Sequence, residues 1–126
     1  MSYIMHFDEK DDFLKVEITG TRTQGNELVD AIEVLSNVNE IGKAKNIENI
    51  LMILRITGHL PFMASYNIGD KAESLGWSRM FSVAAVTMDE ESMKSYLFIE
   101  TVAVNRGYDV KIFDNEQDAK TWLFES

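Results

Sequence analysis

His59 is the side chain of this sequence best placed for chemistry. It lies in the stretch ITGHLPF, directly after an apolar run that indicates a buried strand. Because open α/β sheets bind ligands at the carboxyl ends of their strands, His59 is a candidate ligand contact or general base. A general base needs a nucleophile or carboxylate within hydrogen-bond reach, and the neighbouring sequence supplies none. We therefore interpret His59 as a loop residue, and an enzyme using His59 is the third of our function hypotheses.

Other residue patterns that carry chemistry are incomplete or missing from the sequence. His6 and Asp8 share one face of a predicted strand, but two ligands do not make a metal site. The absence of cysteine excludes thiolate catalysis, disulfides and cysteine-type zinc sites. No phosphate loop, dinucleotide fingerprint or Gly-x-Ser-x-Gly motif occurs, and TGTRTQG is interpreted as a polar loop. The sequence therefore predicts no catalytic residues, no metal and no cofactor.

Composition and charge restrict the partners that this chain can have. The sequence has 12 basic and 21 acidic residues, giving a net charge of −9. Such a charge repels phosphate backbones and anionic lipids, so we predict neither nucleic-acid nor membrane binding. A length of 126 residues predicts one domain over residues 1–126. The N-terminus lacks the features of a secretory signal and the longest apolar run, ILMIL, is too short to cross a bilayer, which predicts a cytoplasmic protein.

The first half of the chain predicts a hairpin, a helix and a central strand. Apolar residues alternate from Tyr3 to Phe7 and from Leu14 to Ile18 around a short acidic turn, which is typical of a β-hairpin. Helical spacing over residues 26–39 predicts a helix, with IGKAKN as its exit loop. The stretch NILMILRITG is apolar on both faces, as in a strand flanked by other strands.

The second half predicts alternating helices and strands. Pro61 suits the start of a helix that reaches about Leu75, with Phe62 and Tyr66 as its core anchors. RMFSVAAVT and YDVKIF are predicted strands, separated by a helix with an acidic first turn. Asp114 or Asn115 is predicted to cap a final helix whose Trp122 is buried on the sheet. The order ββαβαβαβα predicts an α/β fold with a mostly parallel five-stranded sheet and one antiparallel edge strand.

Three stretches resemble the SpoIIAA-like family, a bacterial branch related to the STAS domains of sulfate transporters and anti-sigma-factor antagonists. They are DDFLKVEITG, SRMFSVAAVTMDEE and VKIFDNEQDAKTWL. The resemblance covers essentially the whole chain in element order, and its motifs are structural. It implies a SpoIIAA/STAS-like fold and a non-enzymatic domain that binds a partner protein or a small ligand.

Ser65 is the best counterpart in this sequence of the regulatory serine of the antagonist-type STAS domains. Those domains carry a phosphorylatable serine in an Asp-Ser-x-Gly motif, at the start of the helix after the third strand. In this sequence Ala64 replaces the aspartate and Asn67 replaces the glycine. A helix N-terminus stabilises a phosphate group, so the position is chemically suitable. The two lost motif positions nevertheless predict that Ser65 is not a working phosphorylation switch.

The predicted helix ESMKSYLFIETVAVNRG has more apolar surface than one sheet contact needs. Phe98, Ile99 and Val102 cannot all face the sheet, because successive residues turn by about 100° around the helix axis. The surplus either contacts a neighbouring helix, forms an interface, or lines a cleft with the helix that begins at Pro61. Our first hypothesis is accordingly a regulatory module that acts through a protein partner or a homodimer. The second is a carrier or sensor of a small apolar, lipid-like ligand.

Overall fold

The computed structural model describes residues 3–125. Five strands and four helices follow the predicted order ββαβαβαβα. Their bounds are β1 (Tyr3–Glu9), β2 (Leu14–Thr21), α1 (Glu27–Ala44), β3 (Asn49–Thr57), α2 (Phe62–Asp70), β4 (Ser82–Val86), α3 (Glu90–Asn105), β5 (Asp109–Phe113) and α4 (Glu116–Glu125).

The strands form one sheet in the order β1-β2-β3-β4-β5. The edge strand β1 is antiparallel to β2, and all other neighbouring pairs are parallel. This arrangement confirms the predicted sheet. Leu14, Val16 and Ile18 are fully buried on one face of β2, as their alternation with polar residues requires.

Three helices cover one face of the sheet and α4 covers the other. The parallel strands follow one another across the sheet in chain order, and crossovers between parallel strands are right-handed as a rule. Their helices therefore lie on the same face of the sheet. Val34 and Val38 of α1 accordingly share a buried cluster with Met52. Because α4 follows the last strand and is not a crossover, it is free to pack on the opposite face, where Leu123 contacts the cluster of Leu51.

Helix α2 packs on α1 and α3 more than on the strands. Its buried face consists of Ser65, Ile68 and Gly69. Phe62 and Tyr66 are 65% and 37% exposed, so the prediction that they anchor α2 in the core is wrong. The two rings do share one face, as residues spaced i and i+4 must, but that face points outward because the small residues enter the helix contact.

Two predicted helix ends are also wrong. Helix α2 ends at Asp70 rather than near Leu75, and α1 continues through most of the predicted exit loop to Ala44. Gly42 is buried within α1, and a Cβ atom at this position would lie 2.8 Å from the ring of Phe81. The glycine is therefore a close contact inside the helix and not the signal of its end. Asn46, with φ of 56°, supplies the left-handed residue beyond the end.

Helix α4 begins where the sequence predicts, but the residues that anchor it on the sheet differ from the prediction. Asn115 Oδ1 accepts a hydrogen bond of 2.8 Å from the Asp118 N–H, which confirms the predicted cap. Trp122 is only partly buried, with its ring centroid 5.9 Å from that of Phe113. Ala119 and Leu123 are the buried residues of α4. The prediction that Trp122 is buried on the sheet therefore holds only in part: the indole packs beside Phe113 of β5, but Ala119 and Leu123 are the side chains that α4 buries.

Candidate functional site

An apolar cavity of about 160 Å³ lies beneath α2, between the three-helix layer and the sheet. Residues of α1, α2 and α3 and of the strands β1, β3, β4 and β5 contribute to its wall. Representative lining residues are Leu35 of α1, Leu54 of β3, Ile68 of α2, Ile99 of α3 and Ile112 of β5. The volume is comparable to an engineered cavity of about 150 Å³ that binds benzene. The space therefore suits one small ring or a short alkyl chain.

Short side chains and the raised position of α2 create this space. On the sheet, Ala85 stands in one row between Met52 and Ile112, and all three residues line the cavity. Ala31 of α1 and Ala103 of α3 are further short side chains of its wall. Helix α2 packs on α1 and α3 more than on the sheet, so its side chains leave the space between α2 and the sheet unfilled.

Arg22 lies where the cavity meets a shallow outer pocket, and we call this end of the cavity its mouth. Arg22 follows β2 and lines both the cavity and the outer pocket, which includes Glu27 and His59. Its Nη1 donates to the Gly58 carbonyl oxygen at 2.6 Å and to Ser92 Oγ at 3.0 Å. Its Nη2 donates to the Tyr96 hydroxyl. These contacts fix the guanidinium at the carboxyl end of the sheet, where open α/β folds bind ligands.

Asp89 holds this arrangement from the start of α3. Its Oδ2 accepts hydrogen bonds from the Ser92 hydroxyl at 2.6 Å and from the Ser92 N–H at 3.0 Å. These two bonds lower the pKa of Asp89 below its usual value. Because the Ser92 hydroxyl donates to Asp89, its oxygen is available to accept from Arg22.

Tyr96 should make the stability of the protein sensitive to high pH. Burial raises the pKa of the Tyr96 hydroxyl to about 12, despite the opposing effect of Arg22. An unfolded tyrosine ionises near pH ~10, so the folded state binds the proton more tightly and stability falls between pH ~10 and ~12. We expect Tyr96→Phe to reduce this fall, measured by urea unfolding at several pH values. Equal slopes in both proteins would contradict this role of Tyr96.

The structure does not bring the residues of the predicted ligand site together in one pocket. His59 is in the outer pocket beside Arg22, with its side chain 75% exposed. Its Nδ1 lies 3.3 Å from Glu91 Oε1, a carboxylate that the neighbouring sequence did not reveal because Glu91 is far away in the chain. Phe62 and Tyr66 are on the outer face of α2 and do not line the cavity.

Ser65 is buried in the first turn of α2. Its side chain donates a hydrogen bond of 3.2 Å to the Pro61 carbonyl oxygen, and the residue is 1% exposed. A kinase could reach this hydroxyl only after α2 had moved. The location supports the prediction that Ser65 is not a working switch, which stays a prediction.

The three residues of the predicted interface have different surroundings. Val102 is buried against Gly69 of α2, and Ile99 lines the cavity. Val102 thus follows the neighbouring-helix alternative and Ile99 the cleft alternative, and an interface through these two residues stays a prediction. Phe98 is partly exposed and its ring centroid lies 4.7 Å from that of Phe62.

Sequence reasoning missed Arg22, Tyr96 and Tyr108. Arg22 lies in the stretch interpreted as a polar loop. Its position as a basic residue directly after a predicted strand could have indicated a ligand contact. Tyr108 lines the cavity, and its buried hydroxyl has no hydrogen-bond partner among the residues that the structure describes. Within residues 3–125, no group of three metal-ligating side chains comes together. None of the helices in that range is long and apolar enough to cross a membrane.

The comparisons with known proteins identify the fold. The sequence matches no protein-family model and no curated protein. The structure is similar to a crystal structure described as an anti-sigma factor antagonist from Mycobacterium paratuberculosis, with a TM-score of 0.58. The match covers 98% of this chain and 95% of that chain at 10% sequence identity. At this identity the likeness shows the fold alone, and it confirms the predicted SpoIIAA/STAS-like architecture.

Proposed function

We propose that the chain is a single non-enzymatic binding domain whose cavity receives a small apolar ligand. The observation that carries this proposal is the apolar cavity of about 160 Å³ beneath α2. It opens beside Arg22 at the carboxyl end of the sheet, the usual position of ligands in open α/β folds. A carrier or sensor of a small apolar molecule would use such a space.

The energetics of packing favour a filled cavity. Protein interiors are packed about as densely as organic crystals, and unfilled volume costs about 24 cal/mol per Å³. The apolar wall of the cavity of about 160 Å³ therefore lacks packing contacts that a ligand could supply. A ligand of matching shape would recover part of this packing energy as binding free energy.

We expect Ala85→Leu to weaken binding of a small apolar probe by at least about tenfold, because its side chain fills the cavity floor. Hexanol is a suitable probe, and fluorescence of Trp77, which lines the cavity, reports its binding. The background variant Trp122→Phe removes the signal from the opposite face of the sheet. Native mass spectrometry of the protein purified from cells should also show a retained small molecule.

The control is Ala44→Leu, which adds the same side chain at an exposed position at the end of α1. This variant should bind hexanol like the parent protein. Absence of hexanol binding in the parent, together with no retained molecule, would overturn the ligand proposal.

A second candidate function is protein interaction, and the exposed apolar surface of α2 and α3 favours it. Phe62 and Met63 are 65% and 62% exposed, and Phe62 contacts Phe98. Exposed clusters of large apolar side chains are typical of interaction surfaces. The fold is that of a protein described as an anti-sigma factor antagonist, a class that acts on other proteins.

We predict a concentration-dependent homodimer that Phe98→Glu weakens without loss of fold. A charge placed beside Phe62 would have to be buried in a symmetric contact, at a cost that opposes association. Light scattering over a range of protein concentrations measures the effect. Thr101→Glu, at an exposed position of the same helix, is the control. A strict monomer at high micromolar concentration would eliminate the homodimer.

A further inference from the structure

We infer that the ligand of the cavity is a small monocarboxylic acid, with its apolar part inside and its carboxylate on Arg22 at the mouth. This inference rests on the proposed ligand function and adds the chemical class of the ligand.

Arg22 has hydrogen-bonding capacity that its protein contacts do not use. A guanidinium has five N–H donors. The contacts with Gly58, Ser92 and Tyr96 occupy three of them. The Nε–H and one Nη2 N–H are left, since 5 − 3 = 2, and a carboxylate offers two oxygens to such a pair of donors.

Within the described part of the chain, the charge of Arg22 is also not neutralised by an ion pair. Its three hydrogen-bond partners are a carbonyl and two hydroxyl groups, all of them uncharged. Among residues 3–125, no carboxylate oxygen lies within 4.0 Å of its guanidinium nitrogens. A partly buried cation beside an apolar cavity is stabilised by an anionic partner. A bound carboxylate would provide this partner.

The acidic groups near the mouth favour an anion of single charge. Glu27 lines the cavity and the outer pocket, where its Oε1 accepts a hydrogen bond of 2.9 Å from the Gly25 N–H. Asp89 is engaged by Ser92. Together with the net charge of −9, these carboxylates repel a second negative charge on the ligand. A carboxylate therefore suits the site better than a phosphate dianion.

The test compares hexanoate with hexanol, which share one chain length and differ in the head group. At neutral pH, in the Trp122→Phe background, we expect hexanoate to bind about tenfold more tightly or better, as for a hydrogen-bonded charge. Arg22→Gln should abolish this preference, so that hexanoate and hexanol bind to the variant with similar affinities. In the parent protein, hexanoate but not hexanol should shift the Arg22 Nε–H signal in nitrogen-15 NMR spectra, which tests the contact even if Arg22→Gln does not fold.

The outcomes separate this inference from the function on which it rests. If hexanol and hexanoate bind equally, the carboxylate inference is overturned while the ligand function stands. If the preference persists in Arg22→Gln, or the Arg22 signal does not respond to hexanoate, the assignment to Arg22 is overturned. If neither compound binds, the inference fails, and the ligand function fails with it when the purified protein also retains no small molecule.

Discussion

Replacing Leu123 by alanine is expected to lower the free energy of unfolding by about 2–5 kcal/mol. Leu123 is 3% exposed and packs into the cluster formed by Leu51 and Ile53 of β3. Among the described helices, α4 alone covers this face of the sheet, so neighbouring helices cannot close the space left by the missing side chain. Urea unfolding followed by circular dichroism measures the loss.

Trp122→Ala is the informative comparison for Leu123→Ala. The indole is larger than the leucine side chain, but it is only partly buried at the edge of the same cluster. We therefore expect Trp122→Ala to be the less destabilising of the two variants, because cost follows the buried volume that is lost. If Trp122→Ala were the more destabilising variant, the indole and not Leu123 would be the anchor of α4.

The second large effect is expected at Gly69, where α2 meets α3. A Cβ atom at this position would lie 2.8 Å from Val102 Cγ1 and 2.9 Å from Val102 Cβ. Overpacking of this kind costs about 1–3 kcal/mol, which exceeds the gain of up to about 1 kcal/mol from the better helix propensity of alanine. We expect Gly69→Ala to destabilise the protein and to weaken hexanol binding, because α2 forms the roof of the cavity.

A double-mutant cycle with Val102→Ala isolates the cause. In the Val102→Ala background the close contact is removed, so Gly69→Ala should become neutral or stabilising by up to about 1 kcal/mol. Chemical denaturation of the four proteins gives the coupling energy. If Gly69→Ala were equally destabilising in both backgrounds, the contact with Val102 would not be its cause.

The sequence alone determined the sheet and the order of the elements. Apolar and polar residues alternate in β2 because one face is buried, and β3 contains a continuous apolar run because both of its faces are buried. Such patterns are visible in a short stretch of sequence. The cap Asn115 was recognisable for the same reason, since a cap bonds to a backbone N–H only three residues away. The alternation of helices and strands then restricted the topology to a mostly parallel sheet.

Only the tertiary structure decided which face of α2 is buried and where α1 ends. A periodic pattern shows that Phe62 and Tyr66 share a face, but the contact of Gly69 with Val102 is what turns that face outward. The stretch IGKAKN likewise predicted an exit loop, whereas Gly42 within it lies inside α1 and packs against Phe81. Both contacts join residues that are far apart in the chain, and a local pattern contains no information about them.

The cavity and its mouth also depend on tertiary structure. The cavity exists because α2 rests on two other helices above a row of the sheet that contains the short Ala85. Arg22 gains its role only when Gly58, Ser92 and Tyr96, which are 36, 70 and 74 residues away in the sequence, meet its guanidinium. The volume of a cavity and the hydrogen-bond partners of a side chain depend on how helices and strands pack together. The sequence therefore determined which elements form, and their packing determined the site.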